Sequence, residues 1–222
     1  MSNLADIGTI ISALLAGDAW GIRNALKSDA TWILGFLVAV VGGWIIAIIY
    51  KRVPLLDRHL ERMFMVTSYL AIALIIFSGV VDRFVFSNQQ PWSTTIPPLL
   101  FMVMAWFGAT YNVRLRSHLN FSEFRSRMGR KAQFMCLCLD NFLWMCFSII
   151  VIVTTARAAA LSASNFQIVL GTDNTMQWWF LILAPLAFVL MAARVIENFV
   201  EDIENYRTGK DLIQQTVIGG GE

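Results

Sequence analysis

The sequence predicts an all-α integral membrane protein, a bundle of about five transmembrane helices preceded by an amphipathic helix at the interface. Three observations carry this expectation. Of the 222 residues, 57% are hydrophobic and only 14% are charged, a balance too apolar for an ordinary soluble domain. The apolar runs are close to the length that crosses a bilayer, and the segments between them are too short to hide a soluble catalytic domain. The cations gather at the ends of those runs rather than along one helical face, so lipid and membrane proteins are the expected partners and nucleic acid is not.

Residues 1–30 read as an amphipathic segment kept at the membrane surface. Leu4, Ile7, Ile11, Leu14 and Leu15 share one side, while Asp6, Ser12 and Asp18 break the run too often for it to cross. Arg23 and Lys27 follow the apolar stretch instead of preceding it, which is the wrong order for a signal peptide. A first span then covers residues 31–52 and closes on Lys51 and Arg52. It carries Gly35, Ala39, Gly43 and Ala47, a small residue at every fourth position, and this spacing predicts a face on which two helix backbones approach closely.

Pro54 and the charged stretch Leu56–Arg62 are expected to separate that helix from a second span, Arg62–Val81, which Asp82 and Arg83 end. A polar turn with Trp92 at interface depth follows, and Pro97 and Pro98 are placed in the first turn of a third span. That span leaves the hydrocarbon at Arg114 and Arg116. A fourth span is expected over Gln133–Thr155, an outer loop over Ala156–Thr175 and a fifth span over Met176–Ala193. Arg194 and an acidic amphipathic tail, Glu197–Leu212, close the ordered part; residues 201–222 are the expected cytoplasmic tail, with Ile218–Glu222 expected to be disordered.

Charge sets the expected orientation. With the amino terminus outside, the inner segments hold 13 of the Lys and Arg residues and the outer segments 4, the bias of a cytoplasmic carboxyl terminus. Six of the 13 lie between Arg114 and Lys131, where topogenic charge and anionic-lipid contact account for them.

Few side chains invite chemistry. Cys136 and Cys138 sit about 200° apart on a helix, a poor metal clip, and with Cys146 they read as packing residues. Gly209-Lys210 lacks the rest of a P-loop, so no ATP hydrolysis is expected. Asp140 lies inside the fourth span beside Asn141, and a carboxylate there must be protonated, paired or turned to a protein interface; the pair reads as glue between helices. Arg83 either anchors on lipid phosphate or docks a periplasmic partner. His59 and His118 border cytoplasmic charged segments, where haem ligation is not expected, and His118 reads as an interfacial residue that fixes a helix end.

The order Gly108, Ala109, Val113, Arg114, His118, Leu119 resembles the signature of the small membrane subunit of TRAP transporters, the DctQ-like subunit of tripartite ATP-independent periplasmic transporters. Val80–Phe86 resembles that family's ending of an earlier span, and the stretch from Pro185 to Arg194 resembles its last span. The resemblance covers roughly residues 56–200 and implies a four-helix membrane domain over residues 53–200, to which residues 31–52 add an extra span. One departure is Thr95, where the family commonly has an acidic residue three positions after the loop Trp92. By the resemblance, Arg83, Trp92, Gly108, Ala109, Arg114, Arg116, His118, Asp140, Pro185 and Arg194 are candidate signature or interface residues. It also implies a large transport subunit as partner, a periplasmic substrate-binding protein, sodium ions bound on the large subunit, no cofactor on this chain and no enzymatic activity. Uptake of an organic acid, of the dicarboxylate or sialic-acid class, across the bacterial inner membrane would be the function. Two competing readings are a membrane anchor for an oxidoreductase that binds haem or quinone, and an intramembrane enzyme that would need a second polar cluster facing Asp140.

Overall fold

Proline, glycine and short polar side chains set the helix boundaries. The computed structural model describes residues 2–88, 90–116, 125 and 127–212. Helix α1 (Ser2–Ala16) stops at Gly17, whose φ of 67° suits glycine, and α2 (Ala19–Ala25) starts from Asp18, whose carboxylate accepts from the Trp20 amide. The first span consists of α3 (Ala30–Leu37), a π-helical turn (Val38–Gly42) and α4 (Gly43–Arg52). Val53 leaves the helical region, φ −123° and ψ 84°, as the residue before a proline prefers, so the chain breaks there and α5 (Pro54–Phe84) starts on its proline. There follow α6 (Trp92–Leu115), α7 (Arg130–Ser164), α8 (Trp178–Leu181) and α9 (Leu183–Thr208). Pro185 has no N–H to give to the Leu181 carbonyl, which accounts for the break at Ile182.

Five stretches, 30–52, 54–84, 92–115, 130–164 and 178–208, are long and apolar enough to cross a membrane. The chain is an all-α membrane protein. Half of the last span's apolar window is buried, against 11–22% for the other four, so α9 is the centre; the first, third and fourth spans pack on it and α5 packs on α6. Its Ala187, Leu190 and Ala193 pack with Ala47, Val103 and Phe107, and its Phe188, Met191, Ala192 and Val195 pack with Ala39, Val113 and Ile152. The Phe64 and Phe107 rings stack at 4.1 Å, which joins α5 to α6.

The small-residue face of the first span lies against this centre. At Gly43 an added Cβ would stand 3.2 Å from the backbone of Ala192 and Ala193, and at Gly35 it would run into Val153. Ala39 and Ala47 are buried on the same face. The opposite face, with Leu37, Val41, Ile45 and Ile48, is exposed.

Several boundaries differ from the sequence expectation. The charged stretch Leu56–Arg62 is no linker but part of the first turns of α5, because Asp57 and Glu61, four residues apart, both face arginines of other helices. Pro97 and Pro98 lie inside α6 instead of in its first turn. The helix starts earlier because the Ser93 and Thr94 hydroxyls donate back to the carbonyls of Gln90 and Pro91. Helix α7 continues to Ser164, through half of the expected outer loop, since the N-terminal helices dock against this extension. There Ile10, Leu26 and Ala30 bury against Ala160, and the Arg157 guanidinium donates to the carbonyls of Leu26 and Ser28. Thus α1 buries Ile10, while Ile11, Leu14 and Leu15 stay exposed. The acidic segment after Arg194 continues α9 without interruption to Thr208. Ile218–Glu222 lie outside the described residues.

Candidate functional site

The polar residues that apolar helices bury converge at one end of the bundle. Arg194 on α9 is 2% exposed and Glu61 on α5 is fully buried. The Arg194 guanidinium donates to Glu61 Oε1 from Nε at 2.8 Å and from Nη2 at 2.7 Å, to Glu197 Oε2 at 2.9 Å, and to the Asp57 carboxylate. Its Cζ stands 3.9 Å from the Tyr50 ring centroid, and the Tyr50 hydroxyl donates to Glu61 Oε1 at 3.2 Å. Asp57 is shared: its Oδ2 accepts from Arg114 Nη2 at 2.7 Å, and its carbonyl accepts from both arginines. The side chains of α4, α5, α6 and α9 therefore meet in one network. Glu61 Oε2 is buried without a hydrogen-bond partner among the described residues.

A second network continues from the first. Arg116 ends α6 in a left-handed conformation, φ 51°, and donates to Asp202 Oδ1 at 2.6 Å, to Glu201 Oε2 at 3.1 Å and to the Asn198 carbonyl at 3.0 Å. The Asn198 amide donates back to the Val113 carbonyl at 3.0 Å. Asn141 on α7 donates to Asp202 Oδ2 at 2.8 Å, so the fourth span joins as well. At the far end of α9, Arg130 donates to the carbonyls of Asn205, Tyr206 and Gly209, the groups a helix terminus leaves free.

These networks change several sequence expectations. Among the candidates, Arg114 and Arg194 meet at Asp57, Arg116 binds Asn198 and Asp202 one to two turns further along α9, and Arg194 faces the interior. Asp140 is paired with Arg125, its Oδ1 accepting from Nη2 at 3.1 Å, and this bond pushes the Arg125 guanidinium above its ordinary value. The contact between spans is made by the neighbouring Asn141. Gly108 and Ala109 are half-buried, Gly108 with room for a Cβ at 3.4 Å from Met65 Sδ. Trp92 opens α6 beside Gly171, where an added Cβ would stand 2.8 Å from the Trp92 nitrogen. Pro185 lies in the first turn of α9, and Arg83 is exposed at the opposite end of α5. His59 is exposed, while His118, Leu119 and Glu123 lie outside the described residues.

Glu61, Arg194 and Asp202, all below 3% exposed, are charges that the bundle buries, and neither acid is among the candidates that the sequence singles out. Two signals could have found them: Asp57 and Glu61 spaced four apart at the start of an apolar helix, and Glu197 one turn after Arg194. Every hydrogen-bonding edge of the Arg194 guanidinium is occupied by the chain itself. Such an arrangement holds helices and leaves no coordination for a substrate.

Residues 72–205 match the family described as tripartite ATP-independent periplasmic transporters, DctQ component. The sialic acid TRAP transporter small permease protein SiaQ of Vibrio cholerae serotype O1 is 23% identical over 171 residues, 75% of this chain and 96% of that protein. The matched region begins within α5 and ends in the last turns of α9, so it contains Arg114, Arg116 and Arg194 together with the core around α9. With five spans, a polar centre that ties helices together and a family match over more than half its length, this chain belongs to the DctQ family: it is a multi-pass small permease subunit of a TRAP transporter of the bacterial inner membrane, and not an enzyme.

Proposed function

We propose that this chain is the static member of its transporter, a scaffold on which a large membrane subunit moves substrate and at which a periplasmic binding protein docks. The observation that carries this reading is the saturated ionic network: Asp57 joins two arginines from two other helices and Glu61 pairs with Arg194 in the interior, so these spans cannot slide past one another without breaking ion pairs, one of them fully buried. Such a body suits holding. Sodium ions and substrate belong to the large subunit, and the substrate is an organic acid of the dicarboxylate or sialic-acid class; the name of the Vibrio cholerae relative favours the latter. The amino terminus is periplasmic and the carboxyl terminus cytoplasmic, as the cation bias suggests. On that orientation the ionic network faces the cytoplasm, and Trp92 and the α5–α6 turn lie at the periplasmic end, where the binding protein docks.

The test is co-expression with the large subunit of the same transporter, purification through a tag on this chain, and uptake in vesicles. The expected result is a stable complex whose uptake of labelled sialic acid or dicarboxylate needs this chain, the binding protein and an inward sodium gradient. A large subunit that purifies and transports equally well alone would overturn the scaffold reading, and uptake indifferent to sodium would overturn the coupling.

A further inference from the structure

The end of the bundle opposite the ionic network carries a feature that scaffolding does not use. Between α5 and α6 runs an open groove of about 860 Å³, walled by Ile72, Ile76, Gly79 and Val80 on one side and Pro98 and Phe101 on the other. Gly79 deepens it, since no side chain stands between the groove and Ser93. Ile76, Val80 and Phe101 are about half exposed, at 52%, 49% and 58%, so no described part of the chain covers these walls.

At the mouth stands Arg83. It is exposed, makes no ion pair among the described residues, and approaches only the Phe84 ring, 5.8 Å from Cζ to centroid. The adjacent Asp82 does not line the groove. Ser93 and Thr94 do, but their hydroxyl protons are committed to the carbonyls of Gln90 and Pro91. A ligand at this mouth therefore meets one uncompensated guanidinium, whose planar donors match phosphate oxygens.

Length identifies the rest of the ligand. From Ile72 to Arg83 the helix rises about 17 Å at 1.5 Å per residue. One leaflet of hydrocarbon is about 15 Å deep, half of the roughly 30 Å core. A cation at the headgroup and an apolar channel that runs down to the midplane have the dimensions of one phospholipid. A helix of a partner protein would fill the channel but would leave Arg83 unmatched unless it brought an acid to the same depth. We propose that this groove is a phospholipid site, in which Arg83 binds the headgroup phosphate and one acyl chain lies between α5 and α6.

The full chain, reconstituted in phosphatidylcholine vesicles doped with a phosphatidylglycerol that carries a diazirine midway along one acyl chain, is irradiated and its cross-linked peptides are mapped by mass spectrometry. Cross-links are expected to concentrate at residues 72–80 and 98–102. Arg83→Gln should reduce them about fivefold, the effect of one cation at a membrane surface. Val80→Trp, which fills the groove from an exposed position, should abolish them while leaving the helix content unchanged. Labelling spread evenly over the exposed faces of α3, α4 and α7, or kept at its original level in either variant, overturns the proposal. So does labelling that disappears from the groove when the large subunit is co-reconstituted, because the groove would then belong to a partner helix.

Discussion

Arg194 shows what a charge does inside an apolar bundle. It lies against three carboxylates, those of Asp57, Glu61 and Glu197, and an aromatic face, and removing the arginine strands the fully buried Glu61 where water cannot reach it. Arg194→Met should therefore lower stability by about 3–5 kcal/mol, the usual loss when one member of a buried ion pair is deleted. Adding Glu61→Leu should restore part of that loss, because the second substitution removes the orphaned carboxylate. Thermal unfolding of the two single variants and the double variant in detergent checks both statements, and strictly additive losses would show that the pair is not coupled. The residue was legible in the sequence as part of the Pro185–Arg194 signature, but its inward aim was not. Its partner Glu61 lies 133 positions away, in a stretch whose high charge density looks like a linker when read along the chain instead of around a helix. Asp140 shows the converse: its burial was expected to demand a partner, and the partner is Arg125, outside the span itself.

At the scale of the helix, the first span is attached by what it lacks. A Cβ added at Gly43 would meet backbone atoms of α9 at 3.2 Å, and backbone cannot rotate away as a side chain can. One added at its neighbour Gly42 would have its nearest atom, on the Val189 side chain, at 3.5 Å, ordinary contact distance. Gly43→Leu is therefore expected to push α4 off α9 and cost about 1–3 kcal/mol or more, whereas Gly42→Ala should be tolerated or slightly stabilising. Comparing the two by unfolding midpoint and by yield after detergent extraction separates close packing from general small-residue content; equal losses would refute the contact. The four-residue spacing of small residues made this face readable. The helix ends were less readable, for physical reasons specific to each. The start of α6 depends on hydroxyls folding back on Gln90 and Pro91, and the end of α7 depends on N-terminal helices more than a hundred residues distant that bring carbonyls to Arg157. The π-helical turn at Val38–Gly42 had no sequence signal at all.

Across the whole molecule, the number of spans and their apolar character were fixed by composition and run length, while the asymmetry between the two ends emerges only from tertiary contacts. Every ion pair among the described residues lies at one end, where the start of α5, the end of α6, the start of α7 and the second half of α9 meet. The other end carries no ion pair among the described residues: the N-terminal helices dock there on α7 through Ile10, Leu26 and Ala160, and on the α5–α6 side the ties are the Thr95 hydroxyl on the Leu170 carbonyl at 2.7 Å and Gly171 pressed against Pro91. Mechanically the α5–α6 pair is a cantilever, clamped at its root and lightly held at its tip. Pro97 and Pro98 weaken the free half of α6 further by leaving carbonyls of its first turns without helical donors. Amide exchange in detergent should accordingly run faster over residues 99–104 than over residues 108–113 of the same helix, and uniform protection along it would rule the gradient out. A beam of this kind stays stiff where it is rooted and yields where it is touched, so the outer surface can adapt to whatever lands on it without transmitting the disturbance to the base.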